Sequence, residues 1–260
     1  MTHIGWIAGL ARANLRSATA ERGTFAMLAL FMALNNLIWF ALWWLFFGVA
    51  KEIRGWTVTD FAAMYGIVAI AYGIHTAFLG GARLLAHRVI DGGLDIYLGR
   101  PRSPLVAIVF SRSDPTGIGD IVSGAAFIFW VTWPDGAKMA LALGFAGLGA
   151  SVIVASYIAI NCLVFWSKGR ASLTDQLCDC FLMLATMPLM GLPGAAKLLV
   201  YTVLPAAFVG FLPVEVLRDF SASKLAAVVL VACAAPVIAA GIFRLGLRQY
   251  ASGNRMAELR

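Results

Sequence analysis

Six polar side chains lie inside long apolar stretches of this sequence, where they could bind a ligand or pass a proton. They are Asn35, Asn36, Tyr65, Tyr72, His75 and Thr186. Inside a membrane such groups usually face other protein or water, because lipid cannot satisfy their hydrogen bonds. We predict that they line a substrate path. For His75 and for the Asn35–Asn36 pair, a structural hydrogen bond between helices is the simpler interpretation.

A second set of chemically active residues lies in the segment 83–104, the longest polar interruption in the first half of the chain. Its charged and titratable members are Arg83, His87, Arg88, Asp91, Asp95, Arg100 and Arg102. We predict a short surface helix with Leu84, Leu85 and Ile90 on its apolar face, and a sharp turn at Gly92–Gly93. The segment either contacts a protein in water or only fixes the orientation of the chain.

The elements that position these residues are membrane helices. Hydrophobic residues make up 61% of the 260 residues and charged residues 13%, whereas soluble domains average about 45–50% and about 25%. The sequence therefore predicts an all-α polytopic membrane protein. The net charge of +7 is spread over the loops and does not indicate nucleic acid. The four cysteines lie in apolar segments, where we expect structural thiols.

Six apolar segments are long enough to cross a membrane. They cover residues 24–50, 60–81, 105–131, 139–166, 172–190 and 225–245. Residues 1–22 predict an amphipathic helix lying on the membrane surface, with no signal peptide. The prolines and glycines of residues 191–222 predict broken or re-entrant helices between the fifth and sixth spans.

Local signals add detail to these spans. Two short motifs predict capping boxes at the start of helices, namely Thr57–Asp60 and Ser172–Asp175. Pro115 predicts a kink in the third span, and Asp120 must face protein or water, with Arg112 as its candidate partner. In the fourth span, small residues predict close helix packing; they are Gly144, Gly147 and Ser151.

Loop charges predict the orientation. An even number of spans places both termini and the segment 83–104 on one side of the membrane. That side carries most of the basic residues, which are Arg12, Arg16, Arg22, Arg83, Arg88, Arg100, Arg102, Lys168, Arg170, Arg244, Arg248, Arg255 and Arg260. Because basic loops stay in the cytoplasm, we expect both termini there.

The sequence lacks a motif for an energy source of its own. Gly191–Lys197 is similar to a phosphate-binding loop, but Ala196 replaces its second glycine and Leu198 replaces its Ser or Thr. Work against a gradient would need ions or a separate ATPase. An ion- or proton-coupled secondary transporter or channel is one alternative, favoured by the broken helices, Asp120 and His75. An integral-membrane enzyme is disfavoured, because His, Cys and acid clusters are scarce.

A family resemblance bears on this choice. Asp91–Pro101, DGGLDIYLGRP, resembles the G-x-L-D-x-x-L-x-R-P signature of the ABC-2 family of permeases, within a bacterial branch with daunorubicin-type relatives. Met64–Gly66, Gly117–Asp120 and Gly246–Tyr250 are also similar to that family, so the resemblance covers essentially the whole chain. Gly99 departs from it, since relatives usually carry an apolar residue there.

The resemblance implies one permease domain over residues 1–260 in a bacterial inner membrane. It implies a second permease, identical or different, and cytoplasmic ATPase subunits that use ATP, while this chain holds no cofactor and catalyses nothing. It implies export of an amphipathic, hydrophobic or lipid-like cargo. It also makes the segment 83–104 a coupling loop for the ATPase. The residues assigned to that contact are Arg83, Leu84, His87, Arg88, Asp91, Gly92, Leu94, Asp95, Arg100 and Pro101.

Overall fold

The computed structural model describes residues 21–99, 103–167 and 170–250, together with Gly5, Gly9 and Arg12. Within these residues the chain forms α1 (Arg22–Ala50), α2 (Val58–Phe78), α3 (Leu85–Ile90), α4 (Asp95–Leu98), α5 (Pro104–Val109), α6 (Thr116–Thr132), α7 (Gly136–Cys162), α8 (Ala171–Thr186), α9 (Gly194–Tyr201), α10 (Phe211–Arg218) and α11 (Ala222–Leu247). The surface helix predicted for residues 1–22 lies almost entirely outside the described residues.

Four helices of the described part are long and apolar enough to cross a membrane, namely α1, α2, α7 and α11. The helix α6 is apolar but has 17 residues, and α8 has 16. The prediction of an all-α multi-pass membrane protein is confirmed. The count of six spans stays a prediction, because it depends on α6 and α8 crossing as well.

The most deeply buried of these helices is α2, which packs against α6 and α7. Glycines bring the backbones of α2 and α6 together: a Cβ atom on Gly73 would lie 2.6 Å from the Gly117 carbonyl oxygen, and one on Gly66 would lie 2.9 Å from that of Gly124. The two helices therefore run antiparallel in close contact. The close packing predicted at Gly144 is not observed, because a Cβ there would meet nothing within 4 Å.

The predicted third span is broken into α5 and α6. Between them, Asp114 donates its backbone N–H to the Thr76 carbonyl oxygen of α2 at 3.1 Å, and its carboxylate accepts from the Thr116 hydroxyl at 2.7 Å. Pro115 has no N–H to continue a helix, so a full break replaces the predicted kink. The suggested Arg112–Asp120 pair is wrong: Arg112 lies 3.6 Å from Asp114.

The fifth predicted span also differs in its bounds. The helix α8 ends at Thr186, two residues before Pro188, which disfavours helix in the residue that precedes it. The capping box at Thr57–Asp60 is confirmed, but the one at Ser172–Asp175 is wrong. The helix already begins at Ala171, so Asp175 lies inside it and its side chain is available elsewhere.

Residues 191–222 form two helices of eight residues each, α9 and α10. Between them, Ala206 to Val209 are buried, and the carbonyl oxygen of Val209 lies close to Gly149 of α7. This backbone is therefore covered by protein, as irregular segments at membrane depth must be. A re-entrant course, in which the segment enters and leaves the membrane on the same side, stays a prediction.

A polar cluster closes the end of the bundle where α2 begins. Arg218 of α10 lies 3.3 Å from the Asp60 carboxylate and donates to the Gly55 carbonyl oxygen at 2.6 Å. Glu215 accepts from the Trp56 indole N–H at 3.2 Å and lies 3.1 Å from Lys224. These contacts fasten α10 and the start of α11 to the loop between α1 and α2.

Candidate functional site

A cavity of about 380 Å³ lies between α1, α2, α6 and α8. Its lining residues are Met32, Asn35, Asn36, Trp39, Trp43, Tyr65, Val68, Ala69, Tyr72, Asp120, Asp179, Leu182, Met183, Thr186 and Met187. Five of the six residues predicted for a substrate path thus lie around one space; they are Asn35, Asn36, Tyr65, Tyr72 and Thr186. Their role in transport stays a prediction.

The exception is His75, which does not line this cavity. It is almost fully buried on α2, with its ring edge-to-face on Tyr157 of α7 at a centroid distance of 4.8 Å. The His75 ring also lies 5.9 Å from the ring of Tyr72, so His75 packs behind the cavity wall and makes a contact between helices.

One polar network joins three helices in the cavity wall. The Asn36 amide donates to Asp120 Oδ1 at 2.7 Å and to the Ser123 hydroxyl at 2.9 Å, and its oxygen accepts from the Tyr65 hydroxyl at 3.2 Å. Asp120 is 2% exposed, and its Oδ2 atom has no hydrogen-bond partner among the described residues. A buried carboxylate with one unsatisfied oxygen is costly unless something else binds there.

The charge and shape of the lining suggest what the space accepts. Its only charged lining residues in the described part of the chain are Asp120 and Asp179. Aromatic rings from α1 and α2 cover much of the rest; they belong to Trp39, Trp43, Tyr65 and Tyr72. An apolar wall with a few convergent polar groups is typical of a small-molecule site.

A second cavity of about 460 Å³ adjoins the first. The two share Trp39, Trp43 and Met187 in their linings, and the second continues to Ile53 and Arg54 in the loop between α1 and α2. Together they form a series of spaces that leads from the Asp120 network toward the end of the bundle that holds the Arg218 cluster.

At the opposite end, where α2 ends, the segment 80–99 packs against the bundle. Leu85, Ala86, Val89 and Leu94 are fully buried. The backbone N–H of Ala86 donates to the Asn161 side chain of α7 at 3.3 Å. This segment is therefore a folded part of the bundle and not a solvated connection.

An ion pair and a histidine–carboxylate hydrogen bond tie the segment to α8. Arg83 lies 2.5 Å from Asp179, and His87 Nε2 lies 3.0 Å from Asp175. Arg83 and His87 are four residues apart in the chain, as are Asp175 and Asp179 on α8, so the two contacts lie side by side. That complementary spacing was visible in the sequence, yet sequence reasoning missed both Asp175 and Asp179.

Arg88 fixes the segment internally. Its guanidinium donates to the Tyr97 hydroxyl and, at 2.7 Å, to the Ser111 hydroxyl beyond α5. Gly92 has a φ of 71°, the left-handed conformation that glycine adopts without strain and that a turn between α3 and α4 requires here. The predicted sharp turn is therefore present.

The surface that this segment presents differs from the predicted one. Asp91, Asp95, Ile96, Leu98 and Gly99 are exposed, whereas Arg83, Leu84, His87 and Arg88 are half-buried. Leu94 is fully buried, so its side chain packs internally and is not available to a partner, contrary to the contact role assigned to it. Arg100 and Pro101 lie outside the described residues.

Asp179 connects the two regions, because its carboxylate pairs with Arg83 and also lies in the cavity wall. A multi-pass helical protein with a largely apolar cavity that carries a few polar groups, joined to a folded segment at one end, is typical of membrane transport proteins. The sequence model of a family described as "ABC-2 family transporter protein" matches residues 31–253. The chain therefore belongs to that family and is the membrane permease component of an ABC transporter.

The other two comparisons add no relative. No match was found among curated proteins or among solved structures.

Proposed function

We propose that this chain is the permease half of an exporter whose cargo occupies the 380 Å³ cavity and whose energy comes from a separate ATPase that docks on the segment 80–99. The observation that carries the proposal is the Arg83–Asp179 pair, because it joins the docking segment directly to the cavity wall. Movement of the segment by the ATPase would then move α8 at the cargo.

The proposal includes the assembly and its orientation. The chain holds no cofactor, and ATP is bound and hydrolysed by the partner subunits. A second permease, identical or different, completes the membrane part, in a bacterial inner membrane with both termini and the segment 80–99 in the cytoplasm. The basic residues predicted to lie on one side support this orientation.

Cargo would leave through the second cavity, which leads away from the segment 80–99. The exposed residues of that segment are the ones that a docked ATPase can touch first. We therefore move the expected contact toward Asp91, Asp95, Ile96 and Leu98, with Arg83, His87 and Arg88 holding the segment on the bundle.

Copurification and ATP-driven transport with a coexpressed candidate ABC ATPase test the proposal. The double variant Asp91→Lys, Asp95→Lys should lose most ATPase copurification, because it reverses charge on the exposed turn. The matched control is Asp219→Lys, an exposed acid at the opposite end of the bundle; it should assemble normally.

Two results would contradict the proposal. One is equal copurification of ATPase with the double variant and with the control. The other is full transport by the purified chain under an ion gradient with no ATPase present, which would favour an ion-coupled transporter.

A further inference from the structure

We propose that the cavity selects a cationic cargo with apolar or aromatic groups, attracted by the carboxylates of Asp120 and Asp179 in its wall. This inference rests on the proposed function in one respect, namely that the cavity holds the cargo. It adds the chemical class of that cargo.

The first step is the unsatisfied atom. The Asn36 amide donates to Asp120 Oδ1 at 2.7 Å, and Asp120 Oδ2 has no hydrogen-bond partner among the described residues. Asn36 can donate only through its Nδ2 group, which already serves Ser123 as well. The protein thus leaves one oxygen of this carboxylate without a neutralising partner, and because that atom is itself buried, it acts on the cavity through its charge rather than by direct contact.

The second step is the sign of the charge. In the described lining, the charged groups are two carboxylates, and no Lys, Arg or His is among them. Arg83 is paired with Asp179, and Arg112, in the connection before α6, is paired with Asp114. An anion would meet Asp120 without compensation, and electrostatic repulsion in an apolar surrounding is strong.

The third step is the remaining wall. Trp39, Trp43, Tyr65 and Tyr72 present aromatic faces and edges to the space. Aromatic faces attract cations, most strongly when water is excluded. Met32, Met183 and Met187 add flexible apolar surface that adapts to varied shapes. The wall therefore suits a cation whose charge is surrounded by hydrocarbon, more than a small hydrated ion.

Tetraphenylphosphonium and tetraphenylborate test the inference, because they have nearly the same shape and opposite charge. Saturable binding of each labelled ion is measured separately on the purified chain in nanodiscs of zwitterionic lipid, with empty discs subtracted. We expect saturable binding of the cation and none of the anion. Asp120→Asn should weaken cation binding about tenfold or more, because it removes the charge and keeps the size.

Asp179→Asn should also weaken cation binding, while Asp175→Asn should not. Asp175 is the matched control, since it lies one turn earlier on α8 and does not line the cavity. If the melting curve shows that Asp120→Asn fails to fold, Asp179→Asn decides the result. The Asp179 side chain is 64% exposed, so its substitution should leave the fold intact.

Equal binding of the two ions by the folded chain would overturn the inference, as would the absence of saturable cation binding. Unchanged cation binding by a folded Asp120→Asn variant would do the same. These results are separate from the proposed function: ATP-driven export of an anion would leave the exporter standing and remove only the charge selectivity. Cation binding without any ATPase-driven transport would do the opposite.

Discussion

A single side-chain amide, that of Asn36, holds α1 to both α2 and α6. It bonds Asp120 and Ser123 of α6 and accepts from Tyr65 of α2. The contact also bears on the chemistry of the cavity wall, because it leaves Asp120 Oδ2 without a hydrogen-bond partner among the described residues. Its neighbour Asn35 lines the same cavity but is exposed. Two adjacent asparagines therefore have different environments: Asn36 is buried in the network, and Asn35 is exposed.

Asn36→Ala should lower the free energy of unfolding by about 1–3 kcal/mol, because it leaves a buried carboxylate and a buried hydroxyl without their partner. Asn35→Ala, the matched control, should change it little. Thermal melting of both variants in detergent measures the difference. Coincident melting curves would show that the network does not stabilise the bundle.

Sequence reasoning identified most of this site by residue type but not its arrangement. Polar residues in apolar runs are few, so Asn36 and Tyr65 were found for that reason alone. Their partners depend on how helices distant in the sequence are rotated against each other. His75 shows the limit: α2 is buried on nearly all sides, so no pattern of exposed residues indicates which way a residue on it faces.

At the scale of elements, α2 and α6 form a closely packed antiparallel pair. Gly73 faces Gly117 and Gly66 faces Gly124, with room for hydrogen atoms only. This contact brings Asp120, one turn from Gly117, close to α2 and beside Tyr72 in the cavity wall. The pair is thus the fixed side of the cavity.

Gly73→Ala should destabilise the protein by about 1–3 kcal/mol, because its methyl group would lie 2.6 Å from the Gly117 carbonyl oxygen and 2.9 Å from Asp120 Cβ. Gly144→Ala is the control, since nothing lies within 4 Å of its new methyl group. There, alanine should leave stability unchanged or raise it by about 0.5–1 kcal/mol. Equal losses in melting temperature would argue against the close α2–α6 contact.

The length of apolar runs was enough to predict α1, α2, α7 and α11 within a few residues. It could not distinguish a contacting glycine from a lipid-facing one, so Gly144 was chosen and Gly73 was not. It also could not show that Asp175 serves as an ion-pair partner, because a capping box and a mid-helix acid have the same local spacing. The break before Pro115 depends on the carbonyl oxygen of Thr76, which lies on another helix.

At the scale of the whole molecule, the two ends of the bundle are fastened by different charged contacts. The Arg218 cluster closes one end, and the Arg83–Asp179 ion pair and the His87–Asp175 hydrogen bond hold the segment 80–99 at the other. The His87–Asp175 pair is partly exposed, and such pairs contribute about 0–1 kcal/mol to stability. Its value in the proposed mechanism is to transmit movement to α8.

His87→Asp should therefore lower ATP-driven transport several-fold while leaving the melting temperature nearly unchanged. The exchange His87→Asp with Asp175→His restores opposite partners and should recover much of the transport. Transport in proteoliposomes, measured beside ATPase activity, separates the two effects. If both variants fold but the exchanged variant does not recover transport, the His87–Asp175 pair does not carry the movement.

Trp39 and Trp43, together with Met187, line both cavities and so lie where the two spaces meet. The two tryptophans are carried by α1, which packs chiefly against α6 and leaves most of its surface outside the bundle. An idle transporter must also insulate, since a continuous wet channel would short-circuit the membrane potential. If the two cavities form the cargo path, Trp39 and Trp43 lie where that path would have to be sealed in the idle state.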